Sequence, residues 1–234
     1  MRATDDRFSS FSCVPANIDP SSSPRTDIYL YETGPLMTKL EREHNFSLHF
    51  LDGPLETGPD PSVEGVEGLD GPFYRWFTWS EPPAEDDFAS VDDVVELMDE
   101  VVAEDGPFDG VLGFSQGASL AAHLVARQAS LHLGAAGETP SEHFRFAILF
   151  SCAGLQVRAA SEDKETILVP SLHVCGKRDQ DWLHKSLSVV STRCEPGSAA
   201  VIMHEGGHDI PREGETMDRI CREVEKLLHR AMVL

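Results

Sequence analysis

The sequence has few basic residues and no long apolar run. Its 19 Lys and Arg stand against 40 Asp and Glu, which gives a formal net charge of −21. So acidic a chain is repelled by the phosphates of nucleic acids and by anionic membrane surfaces, and we expect neither as a partner. No stretch of 18 consecutive apolar residues is present, so no transmembrane helix is predicted.

Paired cysteines and a leader segment are also lacking. The five cysteines are odd in number, are scattered along the chain and include no C-x-x-C pair, which indicates reduced, mostly buried thiols. No apolar segment of the signal-peptide kind follows the first residues. We therefore expect a cytoplasmic protein.

Apolar strands alternate with helix-forming segments, and no internal repeat is present. After a strand at 46–51, the strands are predicted at 108–112, 145–151, 171–176 and 199–204, and the helices at 88–104, 118–127 and 214–231. Such alternation is typical of a mostly parallel, doubly wound sheet with helices on both faces. The length of 234 residues suits one such domain, so the predicted fold class is α/β.

The beginning of the chain is rich in Ser, Pro and Asp and has little periodicity, with one weak strand candidate at Phe8–Val14. We therefore divide the chain into a divergent N-terminal segment, 1–27, and a single domain, 28–234. Within the domain, 53–71 is predicted as a Gly-, Pro- and Glu-rich loop that is long enough to form a wall or lid. The aromatic run at 73–79 fits either satellite core packing or an apolar wall for an acyl substrate.

A Gly-Phe-Ser-Gln-Gly pentapeptide at 113–117 stands between a predicted strand and a predicted helix. This setting is that of a nucleophile elbow, whose flanking glycines permit a sharp turn. The turn lifts the Ser115 hydroxyl to the helix N-terminus, where developing negative charge is stabilised. Ser115 is thus the predicted nucleophile, and the backbone N–H of Gln116 is one predicted oxyanion donor.

A base and an acid for this serine follow in the chain order Ser, Asp, His. Asp179 comes just after one buried strand, and His208 lies in a Gly-rich turn just after the next. We predict His208 as the general base and Asp179 as the group that orients it. Asp181 is the alternative acid, disfavoured because it stands at an apparent helix start. His123 is expected to pack or to face solvent.

The segment 204–208 also matches the H-E-x-x-H signature of zinc proteases. That chemistry requires both histidines on one face of a helix. A strand precedes the motif and two adjacent glycines lie within it, each of which costs a helix about 1 kcal/mol relative to alanine. We expect no helix, no metal and no cofactor here, and a metallohydrolase stays the third hypothesis.

Together these pieces resemble the fungal serine hydrolase family, which includes the ovarian-tumour-suppressor-like esterases. The resemblance rests on Tyr-Glu-Thr-Gly-Pro-Leu at 31–36, Phe-Leu-Asp-Gly-Pro at 50–54, Phe-Tyr-Arg-Trp at 73–76, the elbow stretch 110–118, and Gly-Gly-His-Asp-Ile-Pro at 206–211. It implies an α/β-hydrolase fold and activity on esters or thioesters. Many fungal members look like hydrolases encoded beside polyketide synthases. That implies secondary metabolism and an apolar acyl or polyketide-like small molecule, with a carrier-protein-bound polyketide among the candidates.

The sequence departs from the resemblance at its front. Family members begin with a strand that runs into a Leu-His-Gly-x-Gly-Thr-Asn-like turn, which supplies the second oxyanion donor, and 1–27 contains no such turn. The leading hypothesis is a serine esterase or thioesterase that uses Ser115, His208 and Asp179 through an acyl-enzyme. The second is a repurposed protein of the same fold with an incomplete oxyanion hole, which would serve ligand binding, acyl transfer or pericyclic-type chemistry.

Overall fold

Six parallel strands form the central sheet in a computed structural model, which describes residues 11–14, 34–42, 46, 48–58, 73–78, 85–134, 144–152, 154 and 166–233. The strands are β1 (Phe11–Val14), β2 (Leu48–Phe50), β5 (Gly110–Phe114), β6 (Phe146–Phe150), β7 (Ser171–Gly176) and β8 (Ala199–His204). Their order across the sheet is β2-β1-β5-β6-β7-β8. A separate antiparallel hairpin pairs β3 (Leu55–Thr57) with β4 (Phe73–Arg75).

Five helices cover the two faces of this sheet in the described part of the chain. They are α1 (34–42), α2 (Glu85–Asp105), α3 (Gln116–Gly134), α4 (Leu183–Arg193) and α5 (Gly214–Val233). Side chains alternate along each strand, so Ile148 and Phe150 of β6 pack with α1 and α5, whereas Ala147 and Leu149 pack with α2, α3 and α4. The predicted α/β architecture with helices on both faces is confirmed.

The early strand β1 lies inside the sheet rather than at its edge. It pairs in parallel with β2 on one side and with β5 on the other, where Cys13 faces Leu112. The weak strand candidate in the N-terminal segment therefore contributes to the central sheet. The division at residue 27 stays a prediction, because 15–33 lies outside the described residues.

Several predicted boundaries differ from the observed ones. The elbow strand runs over 110–114 instead of 108–112, because Gly113 and Phe114 continue the ladder to β6 opposite Leu149 and Phe150. Within the predicted 53–71 loop, 55–57 is a strand, because it finds a partner in β4. The rest of that loop from residue 59 onward lies outside the described residues.

Of the two interpretations of the aromatic run at 73–79, core packing is the one that the described residues support. Trp76 is fully buried and Phe77 nearly so, within the cluster formed by α2 and α3. Trp79 lies outside the described residues.

Across the described helices, none is both long enough and apolar enough to cross a membrane.

Candidate active site

The elbow places Ser115 at the end of β5 in a strained backbone conformation. Its φ of 53° lies in the left-handed region that non-glycine residues rarely adopt. The Ser115 N–H donates to the Phe150 carbonyl at 2.9 Å, and the Ser119 N–H donates to the Ser115 carbonyl at 3.1 Å. A Cβ on Gly113 would overlap the backbone of Gly117, so the turn closes only because position 113 has no side chain.

The loops after β7 and β8 are joined by their backbones. The N–H of Lys177 donates to the His204 carbonyl at 2.8 Å, and the N–H of Arg178 donates to the Gly206 carbonyl at 2.9 Å. A Cβ on Gly176 would overlap the carbonyl oxygen of Gly207, so a side chain at 176 would force the two loops apart. This close approach brings the residues that follow, including Asp179, toward the loop that carries His208.

Ser115, His208 and Asp179 form a continuous chain of hydrogen bonds. His208 Nε2 lies 2.9 Å from Ser115 Oγ, and His208 Nδ1 lies 2.7 Å from Asp179 Oδ2. The Asp179 side chain is only 4% exposed, whereas that of His208 is 32% exposed. A carboxylate that accepts from Nδ1–H leaves the Nε2 lone pair directed at the serine hydroxyl, the arrangement needed to remove its proton.

The other acid and the other histidine considered for the site lie elsewhere. Asp181 is exposed, and Asp179 is the carboxylate that contacts His208. His123 is buried on α3, a helix that packs on the sheet. The structure thus brings together the predicted trio and leaves these two residues out of it.

The H-E-x-x-H segment is not helical. It starts at the last residue of β8 and continues as bends. His204 is buried, its Nδ1 accepts from the N–H of Gly206 at 3.1 Å, and burial lowers its pKa. Glu205 is exposed and ion-paired with Lys177, which lowers its pKa. Within the described part of the chain, no three His, Cys, Asp or Glu side chains converge as metal ligands.

The predicted oxyanion donor Gln116 is the first residue of α3. A backbone N–H in the first turn of a helix has no acceptor within that helix and points toward the helix N-terminus, where Ser115 lies. The segment that follows β1, in which family members carry the second donor, is 15–33 and lies outside the described residues. Gln116 thus lies where an oxyanion donor would be needed, at the start of α3 next to Ser115, and its role stays a prediction.

Two aromatic rings flank the imidazole of His208. The Phe114 ring centroid lies 4.9 Å from that of His208, and the Trp182 ring centroid lies 6.1 Å from it. Both aromatic side chains are half-buried, and Lys185 Nζ stands 4.1 Å over the Trp182 ring. The reacting groups are thus bordered by apolar surface.

A family model described as Serine hydrolase (FSH1) matches residues 25–220, which is most of the chain. The chain belongs to this family. Among its relatives, the esterase FPY3 of Fusarium mangiferae is 33% identical over 216 residues, covering 86% of this chain and 91% of the relative. A probable esterase of Aspergillus terreus is 30% identical over 230 residues, covering 89% and 87%. This FSH1-family protein is therefore a serine hydrolase that acts on ester bonds.

Solved structures agree on the fold. The esterase PE8 superimposes with a TM-score of 0.57 at 16% identity, covering 94% of this chain and 92% of that chain. Acyl-protein thioesterase 2 of Zea mays does so with a TM-score of 0.57 at 18% identity, covering 94% of each. At such low identity these likenesses show the α/β-hydrolase fold alone.

Sequence reasoning missed two features of this FSH1-family site. The first is Trp182, which no motif indicates, although its position three residues after Asp179 in the same loop is a usable signal. The side-chain contacts of Gln116, to Trp76 and Phe77, were also missed. Nothing in the sequence pairs residues 40 positions apart, so no local signal could have found them.

Proposed function

We propose that this FSH1-family hydrolase works through an acyl-enzyme, with Ser115 as nucleophile, His208 as general base and then general acid, and Asp179 as the group that fixes the imidazole. The observation that supports this most is the unbroken hydrogen-bond chain of 2.9 Å and 2.7 Å through His208. It joins a strained, helix-terminal serine to a buried carboxylate, and each group stands at the carboxyl end of its strand.

The proposed reaction has two halves. Ser115 Oγ attacks the substrate carbonyl carbon while His208 Nε2 takes its proton, and the carbonyl oxygen becomes an oxyanion beside the Gln116 N–H. His208 then gives the proton to the departing alcohol or thiol, which leaves an acyl group on Ser115. Water attacks that ester with the same imidazole as base, releasing the acid and restoring the hydroxyl.

The proposed substrate is a small apolar acyl ester or thioester. The half-buried rings of Phe114 and Trp182 beside His208 offer apolar surface to such a group. The net charge of −21 disfavours free anions. Names of the relatives include esterases, and the resemblance to fungal hydrolases adds polyketide-like esters or thioesters of secondary metabolism. A carrier-bound polyketide is the largest substrate in this proposal.

Labelling with a fluorophosphonate probe tests the nucleophile. We expect one adduct on wild-type protein, located on Ser115 by peptide mass spectrometry, and none on Ser115→Ala. Ser119→Ala is the matched control, because it removes a hydroxyl in the first turn of α3 that donates to the Ser115 carbonyl at 3.3 Å and has no part in the triad, so it should still be labelled. An unlabelled wild type, or equal labelling of Ser115→Ala, would overturn the proposal.

A substrate series tests the acyl preference. Nitrophenyl esters and acyl thioesters of increasing chain length should show kcat/KM rising with acyl length, because each added methylene buries apolar surface beside the aromatic rings. A flat or falling series would contradict the apolar-substrate proposal. Comparing a free thioester with the same acyl group on a carrier protein decides whether the carrier contributes to recognition.

A further inference from the structure

The side chain of Gln116 is bound at both ends of its amide to one stretch of backbone. Its Oε1 accepts from the Trp76 N–H at 2.8 Å, and its Nε2 donates to the Phe77 carbonyl at 2.9 Å. Primary amides offer one acceptor and two donors, so this pairing orients the group uniquely. The same residue supplies the backbone N–H proposed above as oxyanion donor.

The backbone segment that binds the Gln116 amide, at Trp76 and Phe77, is itself packed against several elements. Trp76 and Phe77 are buried in the core cluster between α2 and α3. A Cβ on Gly53 would overlap the backbone at Arg75, so the turn after β2 lies directly against this segment. On the far side, the Thr78 N–H donates to Ser90 Oγ of α2 at 3.0 Å. The amide of Gln116 is therefore anchored to a fixed part of the molecule.

From this geometry we infer that the Gln116 side chain is a positioning residue, which holds its own N–H in the orientation that stabilises the oxyanion. The inference rests on the proposed acyl-enzyme mechanism. Oxyanion donors work because they are fixed before charge develops, so loosening one weakens the transition state more than the bound substrate. Two anchored hydrogen bonds restrict rotation of residue 116, the first residue of α3, where intrahelical bonds do not yet hold the N–H.

Kinetics of Gln116→Met test the inference, because methionine keeps the length of the side chain and removes both hydrogen bonds. We expect kcat per active site to fall about tenfold or more, with KM within about twofold, as for an interaction made only in the transition state. Active sites are counted by end-point fluorophosphonate labelling, which should remain complete. Affinity for a trifluoromethyl ketone of the acyl group, which forms a tetrahedral adduct, should fall by the same factor as kcat/KM.

The matched control is Ser90→Ala, which frees the same backbone segment at Thr78 without touching the elbow. It should lower the melting temperature and leave kcat per active site within about twofold of wild type. If Gln116→Met does not fold, Gln116→Glu at pH 8 replaces it, because an ionised carboxylate keeps the acceptor for Trp76 and loses the donor to Phe77.

Two results would overturn the inference. One is a kcat per labelled site that stays within about twofold of wild type in the Gln116 variants. The other is an equal loss in Ser90→Ala, which would assign the effect to the segment rather than to the amide. Both differ from failure of the proposed function, in which wild-type protein itself would carry no label on Ser115.

Discussion

The carboxylate of Asp179 is almost inaccessible to solvent, whereas that of Asp181, two residues on, is exposed. Burial is costly for a carboxylate unless it is well paired, and the partner of Asp179 is the Nδ1 of His208 at 2.7 Å. The same loop thus contains one acid that can orient the imidazole and one that cannot.

Replacing each of these acids separately tests that assignment. Asp179→Asn should lower kcat on the order of 10⁴-fold, because an amide that donates to Nδ1 favours the tautomer with a protonated Nε2, which cannot accept from Ser115. Asp181→Asn should keep kcat close to wild type. Steady-state hydrolysis of a nitrophenyl ester measures both, and a comparable loss in the two variants would contradict the assignment.

Glu205 offers a second test at the residue scale. A zinc protease of the H-E-x-x-H kind uses this glutamate as general base, whereas the serine mechanism gives it no step. It is exposed and pairs with Lys177 in a surface ion pair, a type that contributes little to stability. We expect Glu205→Gln to hydrolyse esters near the wild-type rate, with or without EDTA. Loss of activity in either measurement would revive the metal mechanism.

At the scale of secondary structure, the loops after β7 and β8 determine the distance between the His208 imidazole and the Asp179 carboxylate. The β7–β8 ladder runs to Gly176 opposite His204, and the N–H groups of Lys177 and Arg178 extend this contact into the loops. The side chains of Asp179 and His208 start from these joined backbones. The distance between the Asp179 carboxylate and the His208 imidazole therefore depends on backbone packing at Gly176. The surface ion pair between Lys177 and Glu205 does not set it.

Alanine substitutions at Gly176 and at Gly207 test whether activity depends on this backbone packing. Gly176→Ala places a Cβ against the carbonyl of Gly207, and a displacement of about 1 Å at a reacting group can cost on the order of 10²-fold in rate. We expect a drop in kcat of about that size. Gly207→Ala is the matched control, because nothing lies within 4 Å of its added Cβ. Equal activity of the two variants would refute the packing argument.

Strands and helices with strong periodicity were predictable from the sequence, and tertiary pairings were not. The strand 199–204 and the helix beginning at Gly214 match their predicted positions, because uninterrupted apolar patterns mark them. The sequence predicts a loop at β3, because its three residues form a strand only through pairing with β4.

Chain order and post-strand position suffice to predict Ser115, Asp179 and His208 as neighbours. The hydrogen bonds from the Gln116 side chain to the backbone of 76–77 form only in the folded chain, and the sequence pattern around Gln116 does not indicate them.

For the molecule as a whole, a buried histidine links stability to pH. His173 of β7 is 1% exposed, its Nε2 lies 3.1 Å from Ser171 Oγ, and burial lowers its pKa from 6.5 to about 4. Between these pH values the unfolded chain binds a proton that the folded chain does not. Stability contributed by the neutral imidazole is therefore complete above pH 6.5 and is lost as pH falls toward 4.

Urea unfolding at pH 7.5 and pH 5 checks this linkage. The wild type should lose about 2 kcal/mol more unfolding free energy than His173→Gln between the two pH values, since one pKa unit corresponds to about 1.4 kcal/mol. His229→Gln, at an exposed position of α5, is the control and should follow the wild-type curve. An unchanged pH dependence in His173→Gln would exclude this histidine as the source.

The central claim, that the acyl group passes through Ser115, is tested most directly by intact-mass spectrometry of the enzyme quenched in acid within milliseconds of mixing with a nitrophenyl ester. The account predicts a single mass increase equal to the acyl group, located on Ser115, and no increase or turnover in Ser115→Ala. Hydrolysis by Ser115→Ala at the wild-type rate, or an acyl group found on another residue of a fully active enzyme, would contradict it.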